Sequence, residues 1–402
     1  MPSARGLAAA LLALVSSAVA APVHAQAPPQ VSLLTFAPGE IYWQRFGHNA
    51  LLVREDGVAP QVYNYGIFDF AQENFFLNFA RGRMLYRLDV APLDWTLRQY
   101  AAERRWAIEQ RLALDDDQAR ALADFLAWNA RPEHADYRYD YFLANCSTKA
   151  RDAIDRALGG TLRRHLEARP GTGTYRGEVL RLMAPMPSLM AAMDLGLGPR
   201  VDPPLDQWAE GFIPQRLMES LREVRVDDGD GDGGTRALVA AERTLVAAAE
   251  APAPAPPALT LPFLCGGLIL AGALLLLARA GARAWARGSF ALLATLYATL
   301  AGLGGLVLLL GWLATDHWSM ARNHNLLLIH PLWWGLLPAL ARRAGSRQPR
   351  QTVFARGIAV VIAVASIAAL PLALYGTQPN LHWVGLLLPP GLAVLYGLRR
   401  GR

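Results

Sequence analysis

The chain has 402 residues, 53% of them hydrophobic, with a formal net charge of +6 and only two cysteines. Residues 26–258 carry 26 basic against 32 acidic side chains, a net of −6, so the arginine excess sits in the C-terminal third. The positive total therefore reports membrane topology and excludes a nucleic-acid partner as its explanation.

Residues 1–25 read as a secretory signal. Arg5 precedes the apolar run Leu7–Ala20, and Val23-His24-Ala25 is a small-residue cleavage site, with Ala18-Val19-Ala20 an equal alternative. The next segment, 26–226, is long enough for one large domain. Its first part is strand-like. Leu51–Val53, Val62–Tyr65 and Met84–Leu88 are β-branched or aromatic runs separated by Asp56-Gly57 and Arg81-Gly82 turn signals. From Leu93 the texture turns helical, with helices expected over Leu114–Trp128, Cys146–Leu158 and Gln215–Val224.

Residues 227–258 form a connector. Asp227–Gly234 is acidic and glycine-rich, but Val239 stands where a calcium loop needs its twelfth-position glutamate, so no calcium site is expected. A helix-like Ala/Arg/Glu stretch and a Pro/Ala tether follow. The remainder, 259–402, holds five charge-free runs: Leu259–Ala278, Gly288–Thr315, Leu326–Ala341, Gly357–Gly376 and Leu381–Leu398. Each is near the ~20 residues a membrane-crossing helix requires. The third is short and contains His330 and Pro331. Arginines cluster in the loops after the first, third and fifth runs, which the positive-inside rule places in the cytoplasm. Five crossings then put 26–258 on the outside, in agreement with the signal. The expected topology is therefore an exported N-terminal domain and a cytoplasmic C-terminus.

Of the two cysteines, Cys265 lies in an apolar run and Cys146 lies in Asn145-Cys146-Ser147-Thr148 at a helix start. An unpaired thiol in an oxidising compartment points to wanted chemistry. The helix N-terminus is expected to lower the thiol pKa and to offer N–H donors to an oxyanion. A cysteine nucleophile needs a base, and 26–258 offers His48, His134 and His165. His48, in Phe46-Gly47-His48-Asn49-Ala50 at the head of a core strand, is the best placed; the other two sit in charged, loop-like surroundings. The third, orienting group is left among Asn64, Tyr63, Tyr65 and Asp140, with Asn64 first. There is no Cys-pair zinc motif, phosphate-cradling glycine loop or His-Glu-x-x-His helix, so no metal or cofactor is expected.

Several motifs together carry a family resemblance. They are Phe46-Gly47-His48, Tyr63-Asn64-Tyr65-Gly66 with Phe68-Asp69-Phe70, Gly82 with Tyr86, Tyr139-Asp140 with Phe142, and Asn145-Cys146-Ser147-Thr148 with Arg151-Asp152. Asp194–Gly198, Trp208, Phe212-Ile213-Pro214, Thr315-Asp316-His317 and Asn323–Leu327 with Pro331 extend the set. The chain resembles the Lnb-type lipoprotein N-acyltransferase family. Its His-before-Cys order is similar to the circularly permuted papain-like (NlpC-like) superfamily, to which lecithin:retinol acyltransferase belongs. The resemblance implies an α+β cysteine domain, with an antiparallel sheet and helices, ahead of a helical membrane domain. It implies Cys146 as nucleophile, His48 as base, a phospholipid acyl donor and a lipoprotein acceptor. Asn145 would support the helix start, and His317 and His324 are candidate lipid or headgroup contacts. Two other classes share these residues: a periplasmic cysteine peptidase or amidase acting on peptidoglycan, and a non-catalytic envelope scaffold.

Overall fold

The computed structural model describes residues 27–227, 234–248, 255–345 and 352–399. The signal segment, the core of the acidic loop and part of the Pro/Ala tether lie outside the described residues.

A seven-stranded antiparallel sheet forms the N-terminal domain. Its strands are β1 (Gln30–Phe36), β2 (His48–Arg54), β3 (Gln61–Ile67), β4 (Leu85–Pro92), β5 (Ala107–Leu112), β6 (Asp136–Arg138) and β9 (Val239–Val246), in the order β6-β4-β3-β2-β1-β5-β9. A small hairpin, β7 (Arg225–Asp227) and β8 (Thr235–Ala237), flanks it. Between strands run helices α1 (Phe75–Ala80), α2 (Leu93–Ala102), α3 (Asp116–Asn129), α4 (Cys146–Ala157), α5 (Tyr175–Met183), α6 (Pro187–Gly196) and α7 (Pro214–Leu221), with the short helix Thr161–Glu167 and a few single turns besides.

Alternation along the strands sorts the core into two layers. Val31, Leu33, Leu51, Val53, Tyr65 and Leu88 face α3, α4 and α7, packing on Leu122, Leu126, Ala150, Ile154, Leu217 and Leu221. Leu34, Phe36, Ala50, Leu52 and Val62 face the opposite way, toward Leu93, Leu97 and Tyr100 of α2. The α3 start is fixed by a reciprocal cap: Asp115 accepts from Gln118 N, and the Gln118 side chain accepts from Asp115 N.

The stretch after Gly234 departs from its helix-like composition. Val239–Val246 is a strand that completes the sheet against β5. An open edge whose Glu109 carboxylate meets Arg243 at 2.7 Å outweighs the local preference of Ala and Glu.

The C-terminal region is helical. Among the described residues, four helices are long and apolar enough to cross a membrane: α8 (Thr260–Arg279), α9 (Ala284–Leu313), α11 (Val353–Tyr375) and α12 (Leu381–Arg399). The expected third span, Leu326–Ala341, is not one helix. It is two 3₁₀ segments, His324–Leu327 and Pro331–Leu336, running into α10 (Leu337–Gly345). Pro331 has no N–H to give, and His330 before it is extended (φ −158°, ψ 158°), so the helix cannot propagate through this point. The broken segment still runs from the loop after α9 to the opposite end of the bundle, where Arg343 lies beside Gly281 and Arg287. Trp333 anchors it, fully buried against Tyr297 and donating to Leu328 O at 3.1 Å.

The two regions are joined by polar contacts. Asp194 on α6 is buried and accepts from Arg176 at 2.8 Å, His382 at 2.5 Å and Trp383 Nε1 at 2.7 Å. The Asn323 side chain donates to the carbonyls of Leu195 and Leu197. Asp316 pairs with Arg83 and Arg138 at 3.0 and 2.9 Å, and Trp318 Nε1 donates to Asp140 at 2.8 Å.

Candidate active site

Cys146 is the first residue of α4, and the sequence around it builds that start. The Asn145 side-chain oxygen accepts from Thr148 N at 2.9 Å, while Thr148 Oγ1 accepts from Asn145 N at 2.8 Å. The Asn145 amide also donates to Tyr141 O and Phe212 O, both at 2.9 Å. Asn145 is thus spent on holding the helix start, which fixes where the thiol sits.

His48 is the first residue of β2 and belongs to the sheet face opposite α4, with its ring stacked near Phe36. The sheet has a gap between the elements that carry the thiol and the imidazole. Pairing of β2 with β3 stops at Leu51–Tyr63. Beyond it, the Asn49 N–H turns to the Cys146 sulfur instead of to a strand partner. Gly66 lines the other side of the gap: a Cβ there would lie 3.5 Å from Cys146 Cβ and 3.7 Å from Tyr139. Its φ of +89° suits glycine, and β3 shifts register between Tyr65 and Ile67 at the same point. The Asn49 side chain closes the arrangement, donating to Thr35 Oγ1 at 2.8 Å and accepting from the Ser147 hydroxyl at 2.8 Å.

Among the four residues weighed as orienting group, Asn64 meets the ring. Its Oδ1 lies 3.3 Å from His48 Nε2, and its amide donates to Val62 O at 3.2 Å. With the amide committed to that carbonyl, Oδ1 faces the ring and accepts from Nε2–H, which leaves Nδ1 as the basic nitrogen. The other three are committed elsewhere. Tyr65 is buried and its hydroxyl donates to Asn129 at 2.7 Å. Tyr63 packs with the α3–α4 core layer. Asp140 caps the N–H groups of Phe142 and Leu143 and accepts from Trp318.

Electrostatics correct one expectation. Burial pushes the Cys146 thiol pKa up, against the backbone N–H groups of Asn49, Ser147 and Cys146 itself, which pull it down. Burial also holds His48 down to about 4; the Asn64 contact opposes this shift and the positive field of Arg105 adds to it. Desolvation outweighs the helix-start field, so the resting pair at neutral pH is thiol and neutral imidazole rather than thiolate and imidazolium. Cys146 as a residue is nevertheless partly exposed.

The remaining candidates lie apart. His134 stacks on Trp128 and His165 sits near Glu223. His317 Nε2 is 3.0 Å from Phe79 O, and its ring lies over Tyr141, which meets Tyr139 beside the thiol gap. His324 caps no part of the site; its N–H donates to Gln378. Among the described residues no cluster of His, Cys, Asp and Glu is arranged to hold a metal ion. Sequence reasoning marks neither Asn49, whose N–H reaches the thiol, nor Tyr100, which stacks on Phe36. Asn49 adjoins His48 in the Phe46–Ala50 motif, whereas nothing in its neighbours marks Tyr100.

Two family models match the chain: the Lnb N-terminal periplasmic domain over residues 24–179, and the Lnb transmembrane domain over residues 257–375. The comparisons with curated proteins and with solved structures found no match. The first model spans His48, Asn64 and Cys146, and the second spans three of the four long helices and the broken segment. A periplasmic domain carrying this thiol site, followed by a transmembrane domain, makes the chain a member of the Lnb family.

Proposed function

We propose that the protein is a thiol acyltransferase of the bacterial inner membrane, with its C-terminus in the cytoplasm. His48 Nδ1 takes the Cys146 proton as the sulfur attacks a lipid ester carbonyl. N–H groups at the α4 start stabilise the tetrahedral oxyanion. Collapse breaks the ester C–O bond, the imidazolium returns its proton to the departing glycerol oxygen, and an acyl-thioester remains. An amine then attacks the thioester carbonyl with His48 again accepting a proton, and Cys146 leaves as the thiol. By family resemblance, that amine is the N-terminus of a diacylglyceryl-cysteine lipoprotein.

The observation that carries this reading is the β2–β3 gap, where three N–H donors meet the Cys146 thiol while Asn64 holds the His48 imidazole from β3. Lipid rather than cell-wall peptide is favoured by the aromatic route from the gap to the membrane loop, through Tyr139, Tyr141 and His317. Trp43 and Phe70, both exposed, widen that apolar side. The test is reconstitution with acyl-labelled phospholipid and a diacylated lipopeptide bearing a free amine. Label should move to the lipopeptide with the intact protein and not with Cys146→Ala. Cleavage of a peptidoglycan fragment instead, with no movement of label, would replace this reading by a hydrolase.

A further inference from the structure

Helix α1 has the sequence Phe75-Phe76-Leu77-Asn78-Phe79-Ala80, and only its first residue packs inward. Phe75 meets Phe68, Met84 and Tyr86. Phe76 is 73% exposed, Leu77 46% and Phe79 37%, and Phe70 in the preceding loop is 53% exposed. A contiguous apolar ledge of this kind on an aqueous surface marks a contact with something apolar.

The position of the ledge identifies the contact. The last turn of α1 is tied to the chain just beyond the end of α9. Asp316 N donates to Arg81 O at 2.9 Å, and His317 Nε2 lies 3.0 Å from Phe79 O. A Cβ on Gly82 would come within 3.0 Å of His317 N, so the two backbones touch. α9 ends at Leu313, itself 67% exposed beside Trp312 at 40%, as lipid-facing positions are. Asp316 follows the end of α9 by three residues, a reach of at most about 10 Å, which holds α1 beside the membrane end of that helix. Arg83 and Arg138, paired with Asp316, put guanidinium groups at the same level, where basic and aromatic side chains favour the interface.

We propose that α1 and Phe70 insert into the bilayer interface on the periplasmic side, so that the N-terminal domain rests on the lipid surface through Phe76, Leu77 and Phe79. The occupant of the ledge is bilayer lipid, continuous with the lipid around the outer end of α9. This holds whether or not Cys146 is ever acylated. It has a consequence for access, because Phe79 lies 6.4 Å from Tyr141, the next ring toward the thiol gap.

The test uses the full chain in nanodiscs of phosphatidylethanolamine and phosphatidylglycerol, in a Cys146→Ala, Cys265→Ser background. Nitroxides are attached through Phe76→Cys, through Leu77→Cys, and through Val58→Cys as reference. Val58 is also exposed, at 52%, but lies in the β2–β3 turn at the far end of those strands. Thermal unfolding selects the labelled proteins that remain folded, and either ledge position suffices. The expected result is accessibility to oxygen well above accessibility to a nickel chelate at 76 and 77, with the reverse at 58. Nickel accessibility equal to that of position 58 would overturn the proposal, because the ledge would then face water. Protection from both reagents would also overturn it, because a protein surface would be the occupant.

Discussion

Asn64 Oδ1 and His48 Nε2 stand 3.3 Å apart across a sheet whose strands have stopped pairing. The register that pairs Leu51 with Tyr63 sets His48 diagonal to Asn64 on the same sheet face, just past the last paired residues of β2 and β3. The end of that pairing admits the start of α4 and aims the Asn49 N–H at sulfur.

Removing the orienting contact should slow the chemistry without unfolding the domain. Asn64→Ala deletes one neutral hydrogen bond, about 1 kcal/mol, or roughly a factor of five in the rate of Cys146 acylation. His48→Ala deletes the base itself and should cost on the order of 10²–10⁴-fold. Single-turnover acylation rates on folded protein separate the two.

The pH profile carries a sign that the burial of His48 dictates. The ring must be neutral to accept the thiol proton, and its pKa is held down to about 4. Acylation should therefore persist well below the ordinary histidine range of about 6.5 and fall only as pH approaches 4. Asn64→Asp places a carboxylate at the ring, favours the imidazolium and should move that acid limb upward. The same depressed pKa favours folding above the ordinary histidine value, and this contribution is lost as pH falls through about 4. Because burial also raises the thiol, alkylation of Cys146 by iodoacetamide should keep accelerating above the pH at which a free cysteine levels off.

Gly66→Ala tests the gap itself. A Cβ would make ordinary contact with Cys146, so the cost comes from φ at +89°, about 1–2 kcal/mol for a residue with a side chain. Thermal unfolding should register that loss, and Cys146 alkylation should change with it, since Gly66 packs against Cys146.

The seam between domains should respond unevenly to substitution. Asp194 and Arg176 are both almost fully buried, and Asp194→Ala removes one of the two carboxylates on the guanidinium and leaves two donors from α12 without their acceptor. With Asp202 still holding Arg176, the loss should be near 3 kcal/mol, the lower end for breaking a buried pair. Asp316→Ala breaks two exposed, solvent-screened pairs and should leave thermal unfolding nearly unchanged.

Much of this was readable in the residues. The runs Leu51–Val53 and Val62–Tyr65 are strands because their alternation matches a two-sided core, and Cys146 begins a helix because Asn145 and Thr148 cap it reciprocally. What composition hides is context. Val239–Val246 reads as helix-forming locally and becomes a strand because β5 offers an edge. Leu326–Ala341 reads as one span, and Pro331 breaks it into turns that Trp333 then packs. The thiol pKa follows the same pattern: a helix start predicts a fall, and only the depth of the gap reveals that burial wins.

The most direct measurement is intact-mass spectrometry of the membrane-extracted protein with native phospholipid, comparing the intact chain with Cys146→Ala and His48→Ala. A hydroxylamine-labile fatty-acyl increment on the intact chain, absent from Cys146→Ala and slow to form in His48→Ala, is the expected result. No adduct on the intact chain after prolonged exposure to lipid, or an adduct that survives Cys146→Ala, would contradict an acyl-thioester at this site.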